Sequence, residues 1–296
     1  MTEQFPLMKH NKTAITKASG ERSSFSSDKL RNSLLRSGAS PQAVDVIVNN
    51  IVNKLYDGIT TGQIYGLAFK LLKQYKKGPA AKYKLKTAIM ELGPTGFPFE
   101  QFIARVFDSL GYTTRTGQML EGKCVKHEID VLATKGDEEN LIECKFHQHR
   151  GLYCDVKIPL YISARFGDII LHRNNLALQK NNHIFRGWLV TNTHFTKDAI
   201  AFGLCAGLNL MGWDFPERNS LRDLIDRYGL HPLTSLTTLT KHEKLQLLEK
   251  NIVLCSELEQ HWDLVLRIVH KDRLLKVKEE CGYLAGTPKS ATAIFV

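Results

Sequence analysis

Lys126-His127-Glu128-Ile129-Asp130-Val131-Leu132-Ala133, a polar turn over residues 134–140, and Leu141-Ile142-Glu143-Cys144-Lys145-Phe146 read as the arms of a β-hairpin. Side chains alternate along a strand, so Glu143 and Lys145 share one face while Ile142, Cys144 and Phe146 take the other. A turn centred near Asp137 and Glu138 sets Asp130 across from the stretch holding Glu143 and Lys145. Two carboxylates beside a lysine suit divalent-metal hydrolysis of a phosphodiester. The cation neutralises the scissile phosphate and acidifies a water that the lysine orients or deprotonates. The same alternation also fits an ordinary strand with an acid–base pair on its solvent face.

Upstream, residues 93–96 form a turn-rich entry to an amphipathic helix closed by Gly111. Its apolar positions Phe99, Phe102, Ile103, Val106, Phe107 and Leu110 recur at three and four. Downstream, Trp188-Leu189-Val190-Thr191 reads as a buried strand, followed by a Thr196-capped helix and a short strand near Leu210. A further helix is expected over residues 157–166. This order of elements, with Glu100, Asp130, Glu143-Cys144-Lys145 and the Val-Thr-Asn…Phe-Thr…Ala run, resembles the Mrr-like branch of the PD-(D/E)xK nucleases over about residues 94–215. The resemblance implies that Glu100, Asp130, Glu143 and Lys145 surround Mg²⁺ (or Mn²⁺ in its place), with the Cys144 carbonyl as a further ligand, and that DNA hydrolysis leaves a 5′-phosphate. Ile129 stands where the named motif has proline, and the Gly-x-Asp form common among Mrr relatives is absent.

The amino-terminal stretch has a different character. Ile15-Thr16-Lys17-Ala18-Ser19-Gly20 reads as strand and turn, and a helix capped by Ser26 or Ser27 follows. Further helices are expected over 41–56, 61–75 and 80–92. Ile15-x-Lys17, Gly20, Phe25, Lys29, Thr61-x-x-Ile64 and Ala81-Lys82-Tyr83 resemble an ATP-cone, the nucleotide-sensing domain of ribonucleotide reductases and their repressor. That resemblance implies ATP or dATP contacts at Ile15, Lys17, Gly20, Lys29 and Thr61. Ala18 and Ser19 replace the arginine and aspartate usual in that family, which removes one phosphate contact. The alternative is a small basic helical domain that binds DNA and no nucleotide.

Charge follows the same division. Residues 1–92 carry 15 Lys and Arg against 6 Asp and Glu, whereas the rest of the chain carries 25 against 24. A basic module meets phosphates of a nucleotide, of DNA, or of both. Further candidate DNA contacts are His147, Gln148 and Arg150, directly after the catalytic strand, and Lys157 and Arg165 on the following helix. Ordinary surface charge is the competing reading of the last two. His147 and His149 have metal-ligand spacing but no evident third ligand. Thr191-Asn192-Thr193 either positions DNA or caps a helix. Six cysteines without a C-x₂-C pair point to free thiols in a reducing cytoplasm, and no apolar stretch is long enough for a bilayer.

Together these readings predict an α/β multidomain chain. A mostly helical ATP-cone occupies 1–92 and a restriction-endonuclease-like α/β sandwich around a mixed sheet occupies 93–216. A helical appendage over 217–281, with helices at 222–228, 241–251 and 256–273, precedes a flexible tail over 282–296. The expected function is a cytoplasmic, Mg²⁺-dependent, homo-oligomeric DNA endonuclease governed by ATP or dATP, of the kind used in restriction or anti-phage defence. The alternatives are a nucleotide-responsive DNA-binding regulator with an inactive nuclease fold, and an assembly subunit acting through its carboxy-terminal helices.

Overall fold

The computed structural model describes residues 13–177 and 184–285; the expected tail from residue 286 onward lies outside the described residues. The chain divides into two compact units, one ending at Lys86 and one beginning at Thr87.

In the first unit a hairpin of β1 (Ala14–Thr16) and β2 (Arg22–Ser24) precedes α1 (Ser27–Arg36), α2 (Pro41–Val52), α3 (Thr61–Tyr75) and α4 (Lys77–Tyr83). Local chemistry sets the helix starts. Ser26 caps α1 by accepting from the Lys29 N–H, Ser40 caps α2 ahead of Pro41, and Thr60 with Gln63 forms a capping box on α3. Leu34, Val44, Ile47, Ile51, Ala68 and Leu72 close a core shared by α1, α2 and α3. Two expectations are corrected here. The helix expected over 41–56 stops at Val52, and the stretch 80–92 is two helices, α4 and the short α5 (Leu85–Met90) that spans the division.

The second unit is built on α6 (Phe97–Ser109), β3 (Thr113–Glu121), β4 (Lys126–Lys135), β5 (Glu138–Lys145), β6 (Tyr153–Cys154), α7 (Lys157–Ala177), β7 (Ile184–Thr191), β8 (His194–Phe195), α8 (Lys197–Cys205) and β9 (Asn209–Met211). The five-stranded sheet runs β3-β4-β5-β7-β9; the first three are antiparallel, and β5, β7 and β9 are parallel. The fold is therefore α/β around a mixed sheet. Phe99, Phe102, Ile103, Val106 and Phe107 of α6 are fully buried, and the Phe107 ring meets Trp188 of β7 edge-on at 5.3 Å. A second core joins Ile129, Leu141, Ile162, Phe166, Ile169, Leu189, Ala199 and Leu210 where α7 and α8 cover the sheet.

The β4–β5 turn is tighter than its polar sequence predicts. Pairing continues to Lys135↔Glu138, so Gly136 and Asp137 alone make the turn. Gly136 has φ 58°, the left-handed conformation that primed hairpin turns require. The turn centre thus falls one residue earlier than expected. Asp130 comes to lie opposite Glu143, one step past the Val131↔Ile142 pair.

The carboxy-terminal helices α9 (Leu221–Tyr228), α10 (Lys241–Leu248), α11 (Trp262–Ile268) and α12 (Lys271–Ala285) belong to this same unit. The continuous helix expected over 256–273 is instead a 3₁₀ turn at Cys255–Leu258, then α11, then the start of α12. Residues 282–285, expected in the flexible tail, are the last turn of α12. Val277, Cys281 and Leu284 bury one stripe of that helix at spacings of four and three.

Candidate active site

Asp130 and Glu143 come together where the antiparallel hairpin joins the parallel half of the sheet, and Lys145 ends the same strand as Glu143. The Asp130 Oδ2 accepts the Cys144 N–H at 2.7 Å, which ties the β4 carboxylate to the β5 backbone beside Glu143. Across the other neighbour, the pairs Thr116↔Val131 and Gln118↔Ile129 leave Gly117 facing Asp130, and Gly117 holds φ 61°. A residue with a Cβ would be strained there, so the sheet is distorted at the aspartate by a glycine. Strand alternation places Glu143 on the α7 side of the sheet. There Arg165 Nη1 meets Glu143 Oε2 at 2.9 Å, while Arg165 Nη2 donates to the Glu128 carbonyl.

Glu100 enters from the first turn of α6, with Gly96 as its capping residue. A Cβ at Gly96 would lie 3.1 Å from Glu100 Oε1, so the carboxyl folds back over its own helix start. The three acids disturb one another. Burial, then Asp130 and Glu128, push the Glu100 carboxyl up to about 7. Burial, then Asp130, push Glu143 up to about 7 despite the Arg165 guanidinium. Burial raises Asp130 as well, against the Cys144 hydrogen bond and Arg165. Desolvation plus like charge is the pattern of a group of acids short of cations.

The exit of β5 is braced. Asn192 accepts from the His147 N–H and donates to the His147 carbonyl, both at 2.8 Å, and Thr191 Oγ1 donates to the Lys145 carbonyl at 2.8 Å. Thr191, Asn192 and Thr193 are buried, which corrects both sequence readings of them: they fix the chain after Lys145, and α8 is capped by Thr196. Lys145 is half-buried and has no carboxylate ion pair among the described residues.

The expected DNA contacts divide. Lys157 is exposed at the start of α7. Gln148 donates to the Pro94 carbonyl and Arg150 to Thr87 Oγ1. The His147 ring Nε2 is buried without a hydrogen-bond partner, and burial followed by Lys145 lowers its pKa. Arg165 faces the carboxylates. In the first unit Ile15 lies in the core, Lys17 pairs with Glu21 at 3.0 Å, Gly20 turns the hairpin at φ 85°, Lys29 is exposed, and Thr61 is the first residue of α3. Sequence reasoning missed strand β3, whose polar alternation around Gly117 resembles a loop, and the pairing of Arg165 with Glu143.

Asp130 and Glu143 would offer oxygens suited to a hard divalent cation, Glu143 only when free of its Arg165 partner. No group of three or more His, Cys, Asp or Glu among the described residues is already arranged around one point as a ligand cage. The fit therefore rests on two carboxylates and the adjoining backbone.

Residues 231–284 match the family described as AF1548-like, C-terminal. An uncharacterized protein of Archaeoglobus fulgidus is 33% identical over 155 residues, which cover 52% of this chain and 82% of that protein. The crystal structure of the protein of unknown function AF1548 is similar at 28% identity with a TM-score of 0.50, covering 63% of this chain and 96% of that one.

Proposed function

We propose that this chain, which belongs to the AF1548-like family, is a metal-dependent DNA endonuclease with an amino-terminal nucleotide sensor. The observation that carries the reading is the carboxyl pair: Asp130, pinned by the Cys144 amide, lies beside a Glu143 that burial and Asp130 hold near 7, with Lys145 two residues further on the same face. The order of helix, antiparallel three-strand meander, helix and parallel strand supports a restriction-endonuclease-like core of the Mrr-like kind.

Mg²⁺, held by Asp130 and Glu143 with the Cys144 carbonyl, would supply phosphate neutralisation and acidification of a water. The chain's own part begins with Arg165. When its guanidinium leaves Glu143 it becomes a fork for a phosphate of the strand being cut. The Lys145 ammonium then orients the attacking water, and Glu100 in its protonated form donates a hydrogen bond to water or phosphate. Thr191 and Asn192 help keep Lys145 in place by holding its own carbonyl and the backbone of His147 just after it.

The first unit serves as an ATP-cone. Lys17, Gly20, Lys29 and Thr61 contact ATP or dATP, and the bound nucleotide alters a homo-oligomer that licenses or restrains cutting, in restriction or anti-phage defence. One observation favours a second reading, a nucleotide-responsive DNA-binding regulator: Glu143 is already paired with Arg165. Incubation of supercoiled and linear DNA with Mg²⁺, with and without ATP or dATP, separates the two. Wild type cuts, while Glu143→Ala and Lys145→Ala cut at least about a hundredfold more slowly. DNA and nucleotide binding without cutting would establish the regulator. Light scattering with each nucleotide reads the oligomer, and an unchanged mass with an unchanged cutting rate would remove the sensor.

A further inference from the structure

The α7 face that leads to the carboxylates bears Lys157, Tyr161 and Arg165, each four residues from the next and so on one side of the helix. Tyr161 is 62% exposed, among the most exposed large hydrophobic side chains of the described residues. Its ring is not loose: the Arg165 guanidinium carbon lies 5.5 Å from its centroid. That guanidinium is itself held by Glu143 and by the Glu128 carbonyl. A ring with one face under the Arg165 guanidinium and most of its surface still open thus lies one helical turn, about 6 Å along the axis, from the residue that touches the proposed catalytic carboxylate.

We infer that Tyr161 is a stacking platform for a nucleobase next to the scissile phosphate, and that the preferred substrate is single-stranded DNA. The inference rests on the nuclease reading for the word scissile, but the platform stands on its own geometry. A phosphate seated at Arg165 brings its flanking nucleoside over the neighbouring ring. Within a duplex both faces of a base are covered by its neighbours. Only an unpaired base presents a face to a tyrosine, and such stacking tolerates any sequence. Lys157, one turn further out and exposed, lies where the next phosphate of an extended strand would pass.

The test uses the full chain and fluorescein-labelled 20-mers in EDTA, so that binding is read without cutting. The single strand binds wild type more tightly than the matching duplex. Tyr161→Ala weakens the single strand about tenfold and leaves the duplex unchanged, and Tyr161→Phe behaves as wild type. A 2-aminopurine base in the single strand is quenched by wild type and Tyr161→Phe and not by Tyr161→Ala, a signature that general charge attraction does not give. Equal single-strand affinity for wild type and Tyr161→Ala, an equal loss on both DNA forms, or tighter binding of the matching RNA 20-mer would each overturn the assignment. The same series in Mg²⁺ separates the two claims. Tyr161-dependent stacking without cleavage removes the nuclease and keeps the platform, whereas cleavage indifferent to Tyr161 removes the platform and keeps the nuclease.

Discussion

Glu143 concentrates opposing forces on one side chain. Burial and Asp130 raise its carboxyl from an ordinary 4.5 to about 7, and Arg165 only partly offsets them. Below pH 4.5 the folded and unfolded chains both carry the proton and the group contributes nothing. Between 4.5 and 7 the unfolded chain releases the proton while the folded one keeps it, so stability falls as pH rises. Above 7 the penalty is constant, on the order of 3 kcal/mol. Glu143→Gln, which cannot ionise, is therefore expected to be more stable than wild type at pH 8, with the gap closing near pH 4. Urea melts at the two pH values measure this. A Glu143→Gln chain less stable than wild type at pH 8 would show that the Arg165 ion pair outweighs desolvation. If Asp130 and Glu143 hold a cation as proposed, binding of Mg²⁺ by calorimetry should weaken up to tenfold per pH unit below 7 for each proton displaced.

Among the elements, α7 does more than cover the sheet. Asp168 Oδ1 accepts from the Cys124 N–H at 2.9 Å, Oδ2 accepts from the Val125 N–H at 3.3 Å and meets His127 Nε2 at 2.8 Å, and the Asp168 carbonyl accepts from Lys123. The His127 bond foremost holds the Asp168 carboxyl down to about 2. The helix thus clasps the β3–β4 turn and keeps β4, with Asp130, in register. Asp168→Ala is expected to speed amide exchange at residues 123–125 while the β5–β7 amides stay protected; unchanged exchange at the turn would show the clasp to be idle. Gly122→Ala attacks the same place. Its new Cβ would overlap the Asp168 carboxylate and lie 2.5 Å from the Val125 carbonyl, an overpacking cost of about 1–3 kcal/mol in a urea melt. These couplings also mark how far the sequence could be read. Helices α3 and α6 and the hairpin that carries Asp130 and Glu143 were legible because their apolar periods and the acid–lysine alternation are local. Strand β3 was not, since Thr, Arg, Gly and Gln alternate there without an apolar face of their own. The exact turn was hidden because Glu138, Glu139 and Asn140 look like loop residues. Glu138 and Asn140 are held by Tyr112 and Trp188, which are distant in sequence.

For the whole molecule, the carboxy-terminal helices pose the same problem of distance on a larger scale. They read as an appendage because their helical periodicity is local to each segment, yet they are part of the second unit's own fabric. Arg105 of α6 pairs with Glu257 of the 3₁₀ turn at 2.6 Å, and Thr234 Oγ1 donates to the Ala88 carbonyl at 2.7 Å. Lys244, nearly buried, donates to the Thr234 carbonyl at 2.7 Å. Inside this region Glu243 is buried beside Arg273. Desolvation alone would raise its carboxyl, but the Arg273 and Thr240 hydrogen bonds outweigh it and hold the pKa below the ordinary value. A depressed carboxylate stabilises the fold above its unfolded pKa and loses that contribution as pH falls through the folded one. Acid should therefore loosen α10 and α12 together. Glu243→Gln should lower stability at pH 7 and flatten the loss on going to pH 3, whereas a parallel pH profile for the two chains would place the acid-sensitive contact elsewhere. Because this region buries Leu221, Leu224, Leu233, Leu236 and Leu247 and bonds to Arg105 and Ala88, deleting residues 217–296 should uncover apolar surface and leave an aggregating chain. Recovery of a monomeric, cooperatively unfolding 1–216 chain would return the helices to the status of an appendage.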